Sequence, residues 1–234
     1  DTHLWSETYD RTLNDIFEIQ NDIATDVVGH LSELMLAELP ETRETSTEAY
    51  TAFLQARHLA QQGTADSFEN ALGLYERVLD IEPTLTRAWT GLSLVYINLA
   101  RRDILPWDEG HEKALEATER ALAVDPQFAD AYNSLGLIAI GNDDLPNAAG
   151  HFMRALELAP TDLGIISNAS GVAANLGRVD LMTALDEYYV SRDPLNPTGH
   201  NNLGVSYTSA GRFVDAIASL RTALTLSPEY LGAE

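Results

Sequence analysis

The apolar positions repeat as a phrase along most of the chain. Pro83, Pro126, Pro160, Pro194 and Pro228 follow one another at intervals of 43, 34, 34 and 34 residues, and each closes a similar string: LDIEP, LAVDP, LELAP, VSRDP and LTLSP. Twelve residues before these prolines stand Ala71, Ala114, Ala148, Met182 and Ala216, and five before them Val78, Ala121, Ala155, Tyr189 and Ala223. Small residues at constant offsets on one helical face let a second helix approach closely. The proline then ends the helix, because it lacks an N–H and its ring clashes with the preceding turn. A second helical pattern precedes each of these: Trp89, Leu92, Ser93 and Tyr96, then Tyr132, Leu135, Gly136 and Ala139, and later His200, Leu203, Gly204 and Tyr207. The pattern predicts a series of helix pairs.

Bulky at position 4, Leu at 7, small at 8, bulky at 11, Ala at 20, aromatic or Leu at 24, Ala at 27 and Pro at 32 resembles the tetratricopeptide repeat. On this reading residues 47–234 form an array with repeats at about 47–85, 86–128, 129–162, 163–196 and 197–230. The third and fifth match almost throughout, with Phe152 and Leu220 at position 24. The fourth keeps its length and Pro194 but carries Met182 and Asp186 at positions 20 and 24. The first two are longer. Asp66 to Glu69 (DSFE) resembles a capping box and is expected to start the second helix of the first repeat. The surplus of the second, Arg101 to Gly110, puts Pro106 at the first turn of a long helix running to about Val124, with Asp108 and Glu109 at its positive end. The resemblance implies an all-α, right-handed superhelix, an α-α solenoid of about five helix-turn-helix repeats behind one N-terminal helix.

Ahead of the array, Ile16, Ile19, Ile23, Val27, Leu31 and Leu34 share one face of an amphipathic helix expected over residues 12–38. Residues 39–46 read as a linker, and residues 1–11 as an extended arm, the remnant of a preceding domain. The apolar stripe has three ways to be covered: capping the first repeat, pairing with the same helix of another chain, or packing on a preceding domain. The opening string, through Leu4, Trp5, Glu7, Thr8, Tyr9, Asp10, Arg11, Asp15, Phe17, Gln20 and Ile23, resembles the segment that precedes tetratricopeptide repeats in bacterial proteins with a TolB-like domain. That resemblance implies a module of a larger signalling or envelope protein, in a group often fused to class III adenylate cyclases or winged-helix regulators. In membrane-anchored members the region lies beyond the membrane, which implies the periplasm; without an anchor the implied place is the cytoplasm.

Charge narrows the partners. The chain carries 36 acidic and 14 basic residues, a net charge of -22, and Lys113 is its only lysine. Phosphate backbones and anionic membrane surfaces are bound by clustered Lys and Arg, so no nucleic-acid partner is expected. No apolar run reaches the ~18 residues of a membrane span, so this segment is not expected to insert in a membrane. There is no cysteine, the six histidines are scattered, and no phosphate loop, G-x-S-x-G or dinucleotide fingerprint occurs. The expectation is therefore a non-catalytic protein without metal or cofactor, whose partner is a protein or peptide.

In tetratricopeptide arrays, positions 2, 5, 6, 9, 12 and 13 of each first helix face a concave groove. Here they give Arg87, Thr90, Leu94, Ile97 and Asn98, then Asp130, Asn133, Ser134, Leu137 and Ile140. The fourth repeat adds Ser167, Asn168, Gly171, Ala174 and Asn175, and the fifth Thr198, Asn201, Asn202, Val205 and Thr208. The groove is expected to be nearly neutral, with an aliphatic half (Leu94, Ile97, Leu137, Ile140) and an amide-rich half (Asn133, Asn168, Asn201, Asn202). An Asn amide donates to and accepts from a peptide bond at once. The asparagines thus either form a ladder that holds an extended peptide by its main chain, or simply keep the face soluble. Arg87 alone is too little for a clamp on acidic C-terminal tails, which are not expected to bind. Trp107 either anchors a partner or packs between neighbouring helices. A nucleotide-cyclase or transcriptional regulatory region and an oligomerisation scaffold remain alternatives.

Overall fold

The computed structural model describes residues 46–228, among which lie ten helices and no strand. They form five successive pairs: α1 Thr47–Gln62 and α2 Ala65–Ile81; α3 Thr86–Arg101 and α4 Trp107–Val124; α5 Ala129–Gly141 and α6 Leu145–Leu158; α7 Leu163–Asn175 and α8 Val179–Arg192; α9 Pro197–Ser209 and α10 Phe213–Leu226. Every helix packs on the next in the chain, which makes an all-α solenoid. The expected arm over 1–11, the helix over 12–38 and the linker, except Ser46, lie outside the described residues.

Side chains set five of the ten described helix starts. Ser46, Asp144, Asp162 and Asn196 accept backbone N–H groups that the first turn leaves free. The capping box of α2 lies two residues earlier than DSFE. Thr64 accepts from the Ser67 N–H at 3.2 Å, and the Ser67 hydroxyl accepts from the Thr64 N–H at 2.9 Å. Asp66 therefore already lies inside the first turn. Pro106 caps α4, whose first turn carries Asp108 and Glu109.

Two packing devices recur. The first joins the helices of a pair through positions 8 and 24. A Cβ on Gly136 would sit 2.6 Å from the Phe152 ring, and one on Gly204 2.5 Å from Leu220, so glycine makes room for the partner side chain. In the second pair two hydroxyls do the same work, with Ser93 and Thr118 2.8 Å apart. Ala71, Ala114, Ala121, Ala148, Ala155 and Ala223 are fully buried along these contacts. The second device joins the second, third and fifth pairs to the turn before each, through position 4. Trp89 Nε1 donates to the Pro83 carbonyl at 2.8 Å, the Tyr132 hydroxyl to Pro126 at 3.0 Å, and His200 Nε2 to Pro194 at 2.9 Å. A carbonyl only accepts, so His200 carries its proton on Nε2. These bonds give a donor to carbonyls of the turn that follows the preceding helix.

The first helices also touch one another, α1 to α3, α3 to α5 and α5 to α7. The series stops there: among the described residues no Cα of α7 comes within 8 Å of one in α9, and the backbone of the fifth pair approaches the array through α8.

Candidate functional site: the face of the first helices

Three clefts open along the first helices. The first, about 360 Å³, is lined by Phe53, Arg57, Tyr75, Arg87, Thr90, Gly91, Leu94 and Asp130. The second, about 490 Å³, is lined by Ala100, Arg101, Asp103, Trp107, Leu137, Ile140, Gly141, Ser167, Asn168, Gly171 and Asn175. The third, about 190 Å³, lies between α7 and α9 and is lined by Ser167, Ser170, Gly171, Ala174, Met182, Asp186, Asn202, Val205 and Ser206.

In the first cleft the Tyr75 ring occupies the space above Gly91, where a Cβ would come within 2.5 Å of it. Burial pushes the Tyr75 phenol up to about 12, against a smaller opposite pull from Arg57, so it stays neutral. Asp130 is raised above the ordinary carboxylate range by burial and by the charge of Asp162, with Arg87 pulling it back. Together the three linings hold Arg57, Arg87, Arg101, Asp103, Asp130 and Asp186, equal numbers of each sign on a chain of net charge -22. The excess acid is therefore carried by other surfaces.

The residues expected in the groove separate into three groups. Arg87 and Leu94 line the first cleft, Leu137, Ile140, Asn168 and Asn175 the second, and Asn202 and Val205 the third. Asn133 is nearly buried, and its Oδ1 accepts from Asn168 Nδ2 at 2.9 Å, so these two amides meet across α5 and α7 and spend one bond on each other. Ile97 does not face the groove. It is 4% exposed and packs with Ala114 and Ile138, because α4 and α5 close over it. Asn98 turns back to the Leu94 carbonyl at 2.7 Å, and Asn201 is half-buried outside the three linings. Ser134 is fully buried without a hydrogen-bond partner.

Several lining residues escaped the repeat register. Phe53, Arg57 and Tyr75 belong to the first pair, and Arg101, Asp103 and Trp107 to the enlarged turn of the second. For Tyr75 and Trp107 the signal is glycine placement: Gly91 and Gly141 stand where a neighbour's ring fills the missing side chain. A Cβ on Gly141 would lie 2.0 Å from the Trp107 ring, so Trp107 packs against α5 while half-exposed in the second cleft. Gly141→Ala is accordingly expected to expel the ring. Indole emission should shift to the red and stability should fall by about 1–3 kcal/mol; an unshifted spectrum would show that the ring does not depend on this contact.

Among the described residues, no group of three or more His, Asp or Glu side chains could hold a metal ion, and no helix is long and apolar enough to cross a membrane.

Comparison with known proteins gives a family match over part of the chain and a shared fold. A tetratricopeptide-repeat profile matches residues 109–162 and 183–230. A stretch of 97 residues is 35% identical to a putative adenylate cyclase 3 of Rhizobium meliloti (strain 1021), covering 40% of this chain and 16% of that relative's length. The fold is similar to that of TTC0263, a thermophilic tetratricopeptide-repeat protein of Thermus thermophilus, with a TM-score of 0.64, 22% identity, and 79% of this chain and 94% of that one covered. It is also similar to YrrB, described as a tetratricopeptide-repeat protein with an unusual peptide-binding site, with a TM-score of 0.50, 22% identity, and coverage of 78% and 88%.

Proposed function

We propose, from the premise that this chain is a tetratricopeptide-repeat protein, that it is a non-catalytic module that binds an extended peptide or protein segment along its first helices. The observation that carries this reading is the run of three neighbouring clefts of balanced charge, with Asn168, Asn175 and Asn202 beside the aliphatic Leu94, Leu137 and Ile140. The amides supply paired donors and acceptors for a main chain, and the aliphatic residues supply surface for its side chains. A groove that exists before binding loses little entropy on ordering. The peptide-binding site described for YrrB belongs to a protein of the same fold and supports the reading by analogy alone.

Asn168→Ala combined with Asn202→Ala tests it. Two lost hydrogen bonds at about 1 kcal/mol each weaken partner retention roughly 30-fold in a pull-down. Glu119→Ala, on the exposed side of α4, should leave retention unchanged. Full retention by the double variant refutes the asparagine ladder.

A second reading has its own observation. The similarity to a putative adenylate cyclase favours a place as a regulatory region in a larger bacterial signalling protein, where the cyclase chemistry lies in other domains. The bound peptide would then belong to the signal. The full reading frame tests this: a class III cyclase domain in it supports the reading, and its absence removes it.

A further inference from the structure

The junction between the fourth and fifth pairs departs from the packing rule of the array. Position 8, position 24 and position 10 of the following first helix hold Gly136, Phe152 and Val172 at the third junction, and Ser93, Thr118 and Ile138 at the second. At the fourth they hold Ser170, Asp186 and Ser206. Asp186 is 4% exposed and accepts a hydrogen bond from the fully buried Ser206 hydroxyl, and Ser170 lines the same cleft. Among the described residues no ion pair includes it. A buried carboxylate is costly unless a charge partners it, and two neutral hydroxyls offset only part of that cost. Three polar residues placed together where other junctions hold apolar or neutral groups point to a cation supplied from outside the array.

The surroundings allow one to enter. Asp186 lines the third cleft, which opens where the backbones of α7 and α9 stand apart. Met182, Ala174 and Val205 give that cleft an apolar wall, and Val205 is 53% exposed. An apolar wall ending at a carboxylate matches a long aliphatic stem ending in a cation. The net charge of -22 favours approach of a basic partner.

We propose that the Asp186 cleft is a subsite for a lysine or arginine side chain of the peptide held along the first helices. The proposal rests on the peptide-recognition reading above and names the partner's chemistry. The competing account is that Asp186 only bridges α8 to α7 and α9 and binds nothing.

The test uses N-acetyl-lysine N-methylamide and its uncharged norleucine counterpart, titrated by NMR into the labelled protein. The lysine probe should shift the backbone amides of Ser170, Asp186 and Ser206 and titrate about tenfold more tightly than the norleucine probe. Asp186→Asn keeps the side-chain shape and should erase the difference. Ala174→Lys changes an exposed residue of the cleft wall, leaves the buried cluster intact, and should block the probe by placing a cation at Asp186. Equal titration by both probes, no shift at these amides, or a preference that survives Asp186→Asn overturns the proposal and leaves the bridging account. The groove itself is read separately by Asn168→Ala with Asn202→Ala. Loss of the partner there, with an inert lysine probe here, removes the subsite and keeps the groove.

Discussion

Phe152→Ala is expected to lower the unfolding free energy by about 3–5 kcal/mol, the range for emptying a buried aromatic site. Phe152 is 1% exposed and sits in the core with Ala148, Ala169 and Val172, contributed by α6 and α7. Its ring fills the space that Gly136 leaves open on α5, where a Cβ would come within 2.6 Å. Truncation removes the filler from a site where three helices meet. Relaxation is limited, because Ala148 and Ala155 are already fully buried and α6 cannot move much closer to its neighbours. The loss reads as a lower urea midpoint in circular dichroism. Gly136→Leu in the same background should return part of it by refilling the site from the other side. A loss below about 1 kcal/mol would mean that the third and fourth pairs do not depend on this contact.

The second large effect has the opposite sign. Ser170→Gly, Asp186→Leu and Ser206→Val together give the fourth junction the Gly204–Leu220 arrangement of the fifth pair and the Val172 of the third. Replacing buried ionic groups by packed apolar ones commonly stabilises by about 1–4 kcal/mol, and the new helical glycine costs about 1 kcal/mol. A net gain on the order of 2 kcal/mol is expected near neutral pH. The pH dependence distinguishes the cause. Burial pushes the Asp186 carboxyl up, and the hydrogen bonds from Ser206 and Ser170 pull it back in part. Its folded pKa therefore lies above the unfolded value of about 3.9, and the folded state holds the proton more tightly. The charged form subtracts stability above the folded pKa, and that deficit disappears as pH falls toward the unfolded value. The advantage of the triple variant should shrink on acidification. An advantage that stays constant would locate the gain in packing rather than in the removed charge.

The helix pairs were legible because their signals are geometric. Small residues at fixed offsets and a proline after each second helix leave few alternatives to paired helices. The cap of α2 was harder, since both DSFE and the Thr64–Ser67 pair satisfy a capping pattern. The choice is made by Gly63, whose left-handed φ of 72° ends α1 and lets α2 begin at Ala65. The groove was legible in direction and not in depth. Periodicity places Ile97 on the same side as Leu94, but it carries no information on how far the next helix leans over, and α5 covers it. Asn133 and Asn168 lie about one repeat apart along the chain, yet only packing shows that they bond to each other. Arg57, Arg101, Asp103 and Trp107 come from the first pair and the enlarged turn, where insertions break the register. Asp186 stood out in the sequence only as a missing aromatic, and its meaning needed the two serines that fold beside it.

That the backbones of α7 and α9 stand apart has a mechanical consequence. A solenoid behaves as springs in series, and its softest link governs how it bends. Elsewhere two sets of contacts join neighbouring pairs, between the first helices and across the turn. At the fourth junction the backbones approach only between α8 and α9, with the Arg212–Glu187 ion pair beside them. Load applied across the array is therefore expected to concentrate at the turn Asp193–Asn196.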